Sequence, residues 1–425
     1  MRILVPLPFN VANLRHGRNL RIVHLLRALG DHAQITCAVA GEGAGQSLRD
    51  LIGDAEVVPA PPSPAASADT QAGPPGPWLV RRAATFFGYN RGLHTLADRL
   101  RARVDAVLGF DLSSAMYLMP LDGQPSRRVP AIFDAVDDPW LTWRSRRVTD
   151  RWSAEGLKTA VAVQAYRRWL LTRMDRIIAV APRDAQSLAA VTHRPVEVAP
   201  NGVVVPSLAP GSMTRESLVV LTGAMSFPPN ERAACLLART IWPRVQRMVP
   251  SARLALVGAD PTARVQMLAD GPGVVVTGRV DDVGTWLRRA RVAAAPMFSG
   301  SGMKNKVLEA CANGCPVAAS LLAAEGIPTG ERNGVLVTDD PVAFANQITR
   351  LLLDPRAAER IGLAGMDMVR RHFTWARAAE ILYEAIAGGC GAAAAARPDN
   401  PAPQARLSTV FEPGAGKEAT VHAAS

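Results

Sequence analysis

Hydrophobic positions along this chain follow two alternating rules. Short apolar runs at 2–7 (RILVPL), 35–40 (ITCAVA) and 55–60 (AEVVPA) predict strands, and Ile22, Leu25, Leu26 and Leu29 mark one face of a helix over about 19–29. Strand and helix in alternation build a parallel sheet with crossover helices. The pattern goes on with a helix over 78–103, strands at 104–110 and 128–138, a long helix over about 149–174, and strands at 177–181 and 195–203. It restarts after the pair Asn201-Gly202, with strands predicted at 217–223, 253–258, 274–278, 292–296, 316–320 and 334–338, each ending in a glycine or small residue. Six such strands predict a doubly wound sheet. The expectation is an α/β chain of two domains, 1–200 and 201–387, closed by a helix over about 374–387. The segments 59–77 and 388–425 carry no core-forming pattern and are expected as a mobile loop and a disordered tail.

One stretch concentrates the chemistry. At 296–316 the chain reads PMFSGSGMKNKVLEACANGCP, an apolar run, a glycine turn through Gly300, Ser301 and Gly302, and then helix-period residues Val307, Leu308, Cys311 and Ala312. A helix start presents backbone N–H groups and the positive end of a dipole, which hold anions. Lys304 and Lys306 fall in the expected first turn, where a cation is disfavoured unless something negative lies beside it. Glu309 follows one turn later. Amides and ammonium groups suit a diphosphate, and a carboxylate suits sugar hydroxyls. The plainer reading is a surface i, i+3 pair between Lys306 and Glu309.

Composition sharpens that stretch. Of 48 basic residues only Lys158, Lys304, Lys306 and Lys417 are lysines, so half of the lysines fall within three positions. Lysine is a compact charge on a flexible stem and arginine a rigid fork, so a site that needs a point charge on a phosphate resists drift to arginine. The net charge of +11 leans toward the first half, where residues 1–200 hold 25 basic and 18 acidic groups against 23 and 19 in the remainder. There the basic groups interleave with aromatics, at Trp78, Arg81, Arg82, Phe86, Phe87, Tyr89 and Arg91, at Trp140, Trp143, Arg144, Arg146, Arg147, Arg151 and Trp152, and at Arg167, Arg168 and Trp169. Such clusters suit either solvated helix faces or an anionic membrane surface, with a nucleic-acid partner not expected. Five scattered cysteines without a CxxC pair argue against a disulfide framework or a zinc site, and Cys311 and Cys315 read as core residues. With no uninterrupted apolar run of about 18 residues, the expected location is the cytoplasm, peripheral to the inner face of the plasma membrane.

The motifs APNGV (199–203), LTGAMSFPPNERAA, LALVGADP, VTGRVDD, SGSGMKNKVLEACANGCPVAAS, AAEGI and HFTWARAAEILYEAI stand in an order and spacing that resemble the C-terminal domain of retaining glycosyltransferases of family 4, over most of 195–387. The resemblance implies a GT-B fold, two facing Rossmann-like domains with a final helix crossing back to the first. It also implies sugar transfer from a nucleotide donor to an acceptor hydroxyl between the domains without a metal or other cofactor, in exopolysaccharide or cell-surface glycan assembly. On it, Glu309 resembles the carboxylate that binds the donor ribose, and Lys304 and Lys306, with amides at Gly300, Ser301 and Gly302, the diphosphate cradle. Gly223, Ser226 and Asn230 would border the same cavity, and Arg279 and Val280 would lie near the base. Ser301 stands where many members carry Glu; Ala224 and Pro229 stand where many carry Arg and Lys, which shifts diphosphate charge onto Lys304 and Lys306.

The first half supplies acceptor-side candidates at strand ends: Asn10, Asn13, Arg15 and Arg18, then Asp134, Asp137 and Asp138. Asp137, counted with the catalytic group, and Asp138 either accept or orient the acceptor's proton or cap the helix that begins at PWLTW. The acids at 137, 281 and 339 do not read as a metal site, because adjacent carboxylates on a strand face opposite sides. A dinucleotide oxidoreductase would need GxGxxG after the first strand, and PLPFNVANLRHG has none. The alternative from another class is a non-catalytic nucleotide-binding or membrane-scaffolding protein on the same fold.

Overall fold

The computed structural model describes residues 1–11, 17–61, 74–122, 129–144, 153–207 and 215–395. Among them the strands form two parallel sheets. In the first, β1 (Arg2–Leu7), β2 (Gln34–Val39), β3 (Glu56–Pro59), β4 (Ala106–Phe110), β5 (Ala131–Asp134), β6 (Arg176–Ala179) and β7 (Glu197–Val198) lie in the order β3-β2-β1-β4-β5-β6-β7. In the second, β8 (Glu216–Thr222), β9 (Arg253–Val257), β10 (Val274–Gly278), β11 (Ala290–Ala295), β12 (Val317–Ala319) and β13 (Val335–Val337) lie in the order β10-β9-β8-β11-β12-β13. Helices cover both faces of each sheet, which is why the central strands are near-continuous apolar runs. Each strand order reverses once, between β1 and β4 and between β8 and β11, and the loops that part at those carboxyl ends leave a crevice.

The first half departs from the expected elements in ways that bear on the site. The helix expected over 78–103 is two, Trp78–Phe86 and Arg91–Arg101, parted at Gly88 (φ 76°) and restarted by Asn90, whose side chain accepts from the Leu93 N–H. The strand expected over 128–138 shrinks to β5. Val136 adopts φ 56°, rare for a β-branched residue, and throws the chain out of the sheet just before Asp137. Helices Glu42–Ile52 and Pro182–Thr192 had no counterpart in the sequence reading.

The last helix, Trp375–Ala395, returns to the first sheet and buries Trp375, Ala379, Leu382 and Ile386 among residues of β1, β4 and the helix Gly17–Gly30. His24 and Trp375 stack there, ring centroids 4.8 Å apart. The helix runs past the expected end at 387: Gly389 lies on Ile132 and Arg176, and Cys390 is half-buried near Met1. Residues 388–395 are therefore helix rather than tail, because glycine and cysteine are small enough for the backbone to stay close to the sheet. The tail beyond 395 and most of the Pro/Ala loop lie outside the described residues.

The two links between the halves touch. Val203 N–H donates to Phe373 O at 2.8 Å, and a Cβ on Gly202 would come within 2.3 Å of Trp375 N. Glycine at 202 is thus required by the close passage of the returning chain.

Candidate active site between the two sheets

The loop after β11 and the helix Asn305–Ala312 stand at the strand-order reversal of the second sheet. Val307, Leu308, Ala310, Cys311 and Ala312 are buried. The helix Pro355–His372 comes close to them through Gly365, where an added Cβ would lie 3.2 Å from Cys311 Sγ. Burial pushes the Cys311 and Cys315 thiols up, as befits core residues. The loop itself turns on Gly300 (φ 110°) and Gly302 (φ 67°), both in the left-handed region.

Lys306 points to the end of β8. Its Nζ donates to Asn230 Oδ1 at 2.6 Å, and Asn230 Nδ2 donates to Ala224 O at 2.8 Å. Gly223 (φ 142°) leaves room for both: a Cβ there would meet Asn230 Nδ2 at 2.6 Å and Lys306 Nζ at 3.0 Å. Burial, with the neighbouring Lys304, lowers the Lys306 pKa to about 8 against the pull of Glu309. Burial pushes the Glu309 carboxyl up, opposed by Lys306. Among the described residues no hydrogen bond or ion pair holds the Glu309 carboxylate, which leaves its oxygens for a ligand. An ammonium whose desolvation is only partly offset and an acceptor without a donor together fit an anion carrying hydroxyl groups.

Lys304 faces the other way. It is the residue before the helix rather than within its first turn, and its Nζ donates to Ser301 O (2.7 Å) and Gly302 O (2.6 Å). This part of the loop turns two carbonyls toward Lys304, while the Gly302 N–H faces the Asp184 carboxylate. Asp184, Glu325 and Asp137 hold the Lys304 charge against the burial that lowers its pKa. Gly302 packs on Asp137, a Cβ at 302 falling 3.1 Å from Asp137 Cβ, so the first sheet's loop closes on the donor-side loop here.

Asp137 does not cap the following helix; Asp138 does, accepting from Trp140 N–H and pairing with buried Arg167 at 2.7 Å. Asp137 keeps its carboxyl open to the cleft, yet the protein around it, and then Asp111 and Asp184, push its pKa to about 7 against the pull of Lys304. Asp184 is buried, accepts from Asp138 N–H at 2.8 Å, and has an Oδ2 without a hydrogen-bond partner among the described residues.

Other candidates fall elsewhere. Asp134 is buried in a pair with Arg21 (2.7 Å, both side chains 0% exposed) and is structural rather than acceptor-facing, because β5 ends with its side chain turned into the core. Arg21 continues to Asn201 Oδ1 at 2.9 Å, and Asn201 Nδ2 reaches Asn305 Oδ1 at 2.7 Å, which ties the first sheet to the start of the site helix. Arg18 pairs with Asp111 at 3.0 Å at the mouth of the first sheet, and Asn10 is exposed nearby. Arg279 pairs with Asp260 at 3.4 Å on the rim; Val280 is half-buried and Ser226 exposed, and among the described residues none of them hydrogen-bonds to Lys304 or Lys306. Asn13 and Arg15 lie outside the described residues. Asp184, Glu325, Asn201 and Asn305 escaped the sequence reading, although Pro182 with Asp184 in a first turn is a legible helix start.

Residues 216–354 match the family described as glycosyl transferases group 1. Over 249 residues the chain is 26% identical to a lipopolysaccharide core biosynthesis mannosyltransferase of Rhizobium leguminosarum bv. viciae, covering 53% of this chain and 68% of that protein. The fold is that of sucrose-phosphate synthase from Thermosynechococcus elongatus, at TM-score 0.65 and 16% identity over 92% of this chain and 100% of the other. Residues 216–354 thus carry a glycosyl transferases group 1 domain, and the chain as a whole has the GT-B fold. A second relative, phosphatidyl-myo-inositol mannosyltransferase of Mycobacterium leprae (strain TN), is 31% identical over 201 residues, 44% of this chain and 53% of that protein, so the match spans about half its length. Anabaena HepE, solved with UDP and glucose, has the same fold at TM-score 0.62 and 14% identity, over 91% of this chain and 99% of its own.

Proposed function

We propose that this protein is a family 4 glycosyltransferase that moves a sugar from a nucleoside diphosphate to an acceptor hydroxyl, with retention at the anomeric carbon and without a metal, in cell-surface glycan or exopolysaccharide assembly. The observation that carries the reading is the Lys306–Asn230 pair under Gly223 with Glu309 one turn on, while Asp137 of the first sheet's loop lies against Gly302 of the same glycine loop. The C1–O bond to the diphosphate breaks and a C1–O bond to the acceptor forms; the acceptor's proton passes to Asp137 or to the departing diphosphate. Lys306 and Lys304 meet charge that grows on the diphosphate, so they stabilise the transition state more than the bound donor. Glu309 accepts from the donor ribose. HepE was solved with UDP, and two relatives are named mannosyltransferases, which puts mannosyl donors first in a panel of UDP, GDP and TDP sugars.

Turnover or a rise in melting temperature with one of these donors is the expected result. Lys306→Ala and Glu309→Gln should each cut transfer by at least about tenfold, the scale of one charge-assisted contact. Product anomeric configuration by NMR tests retention, and an unchanged rate in chelator tests metal independence. If no donor in the panel binds or turns over, the non-catalytic scaffold reading stands instead. No described helix is long and apolar enough to cross a membrane. We propose peripheral attachment to the cytoplasmic membrane face through exposed Trp78 and Phe86 and their neighbouring arginines, which co-sedimentation with anionic vesicles at low salt tests.

A further inference from the structure

A second concavity of about 710 Å³ lies on the first domain, between the helix Pro139–Arg144, the helix Ala154–Leu171 and the helix Pro182–Thr192. Its lining includes Arg144, Arg167 and Arg183 and, among the described residues, no acidic residue, while Trp140, Leu141 and Val191 give it an apolar wall. Arg167 is 2% exposed and spends Nη2 on Asp138, Ser187 O and Ser187 Oγ, so it forms the floor and leaves its Nε without a partner among the described residues. Arg144 and Arg183 are exposed at the rim. Trp140 is fixed by stacking on Trp143 at 4.7 Å, and Trp143 Nε1 donates to Gly156 O.

Two arginines of the concavity contact residues beside the cleft. Arg183 reaches Glu325 of the second domain at 4.0 Å, and Asp138, on which Arg167 is anchored, adjoins Asp137. Arg144 and Arg183 both line the concavity, guanidinium forks match the oxygens of a phosphate, and an indole wall suits the organic part of the same ester.

We propose that this concavity binds a phosphate ester carried by the acceptor and so holds the acceptor's hydroxyl toward the cleft. The inference rests on the glycosyl-transfer reading for the word acceptor, but not for the phosphate site itself. The phosphate belongs either to a soluble sugar or polyol phosphate or to a lipid headgroup, and both present the same group to Arg144 and Arg183.

The test is tryptophan fluorescence of the full-length protein, with Trp140→Phe identifying the reporting residue. One arm titrates glycerol 3-phosphate against glycerol, the other phosphatidylcholine vesicles with and without phosphatidic acid. Saturable, phosphate-dependent quenching in either arm is expected, the arm telling soluble from lipid-borne phosphate. Arg144→Glu should weaken it at least about tenfold, and Ala190→Trp, which fills the concavity from an exposed position, should abolish it; both variants should keep the wild-type melting temperature and its rise with nucleoside diphosphate. Phosphate binding that survives both variants, or none in either arm, overturns the proposal. Loss of the nucleoside diphosphate response in the wild type with phosphate quenching intact would instead defeat the glycosyl-transfer reading.

Discussion

Lys306 and Asp137 are each held away from their ordinary protonation balance, and the direction fixes what each should do. Lys306 has a folded value of about 8 against 10.5, so between those values the unfolded chain holds more protons and stability rises with pH. Lys306→Met should remove that rise in melting temperature. A diphosphate beside the ammonium restores its charge, so at about pH 8.5 nucleoside diphosphate binding should take up protons in the wild type and not in the variant; calorimetry in two buffers of different ionisation enthalpy reads this directly. For Asp137 the folded value of about 7 exceeds 3.8. Its contribution to stability is present below the lower value and lost as pH rises through the higher. If it takes the acceptor's proton, transfer should climb through a limb near pH 7. Asp137→Asn should erase that limb and lower kcat at least about tenfold while melting at pH 8 does not fall.

At the scale of elements, glycines decide where the charged groups sit. Gly223 ends β8 at a φ that side chains rarely adopt and lies against both Asn230 and Lys306. Gly223→Ala should cost about 1–3 kcal/mol of stability, measured by denaturant unfolding, and weaken donor binding more than a surface change would. The same logic reads the loop before the site helix. Gly300 and Gly302 let it fold back so that Lys304 is held by carbonyls and first-domain acids, while Lys306, two residues on, points to the second domain alone. The buried link from Asp134 through Arg21 and Asn201 to Asn305 couples the first sheet to that helix start, and a buried pair broken on one side typically costs about 3–5 kcal/mol.

The whole molecule depends on a chain that crosses between the halves twice at one place, at 201–203 and at 373–375. The last helix closes the first sheet's core, so its length matters to stability more than its bland sequence suggests. A chain stopped after Ala387 should melt lower than one stopped after Ala395, because the shorter one loses the cover over Ile132, Arg176 and Met1. Equal melting would show that residues 388–395 add nothing to the packing.

The strand runs of both halves, the doubly wound order of the second, and the glycine loop with Lys304, Lys306 and Glu309 were legible in the amino-acid order, because parallel strands buried on both faces and left-handed turns leave strong local patterns. The break at Gly88, the early end of β5 at Asp134 and the helix beyond residue 387 were less so, since each depends on what packs against the segment. Direction was not legible at all. Two lysines two residues apart look alike in one dimension; only the tertiary structure turns Lys306 onto Asn230 and Lys304 toward Asp137 and Asp184. It also buries Asp134 and leaves Asp137 open, because a charge's role is set by the groups that face it across elements far apart in sequence.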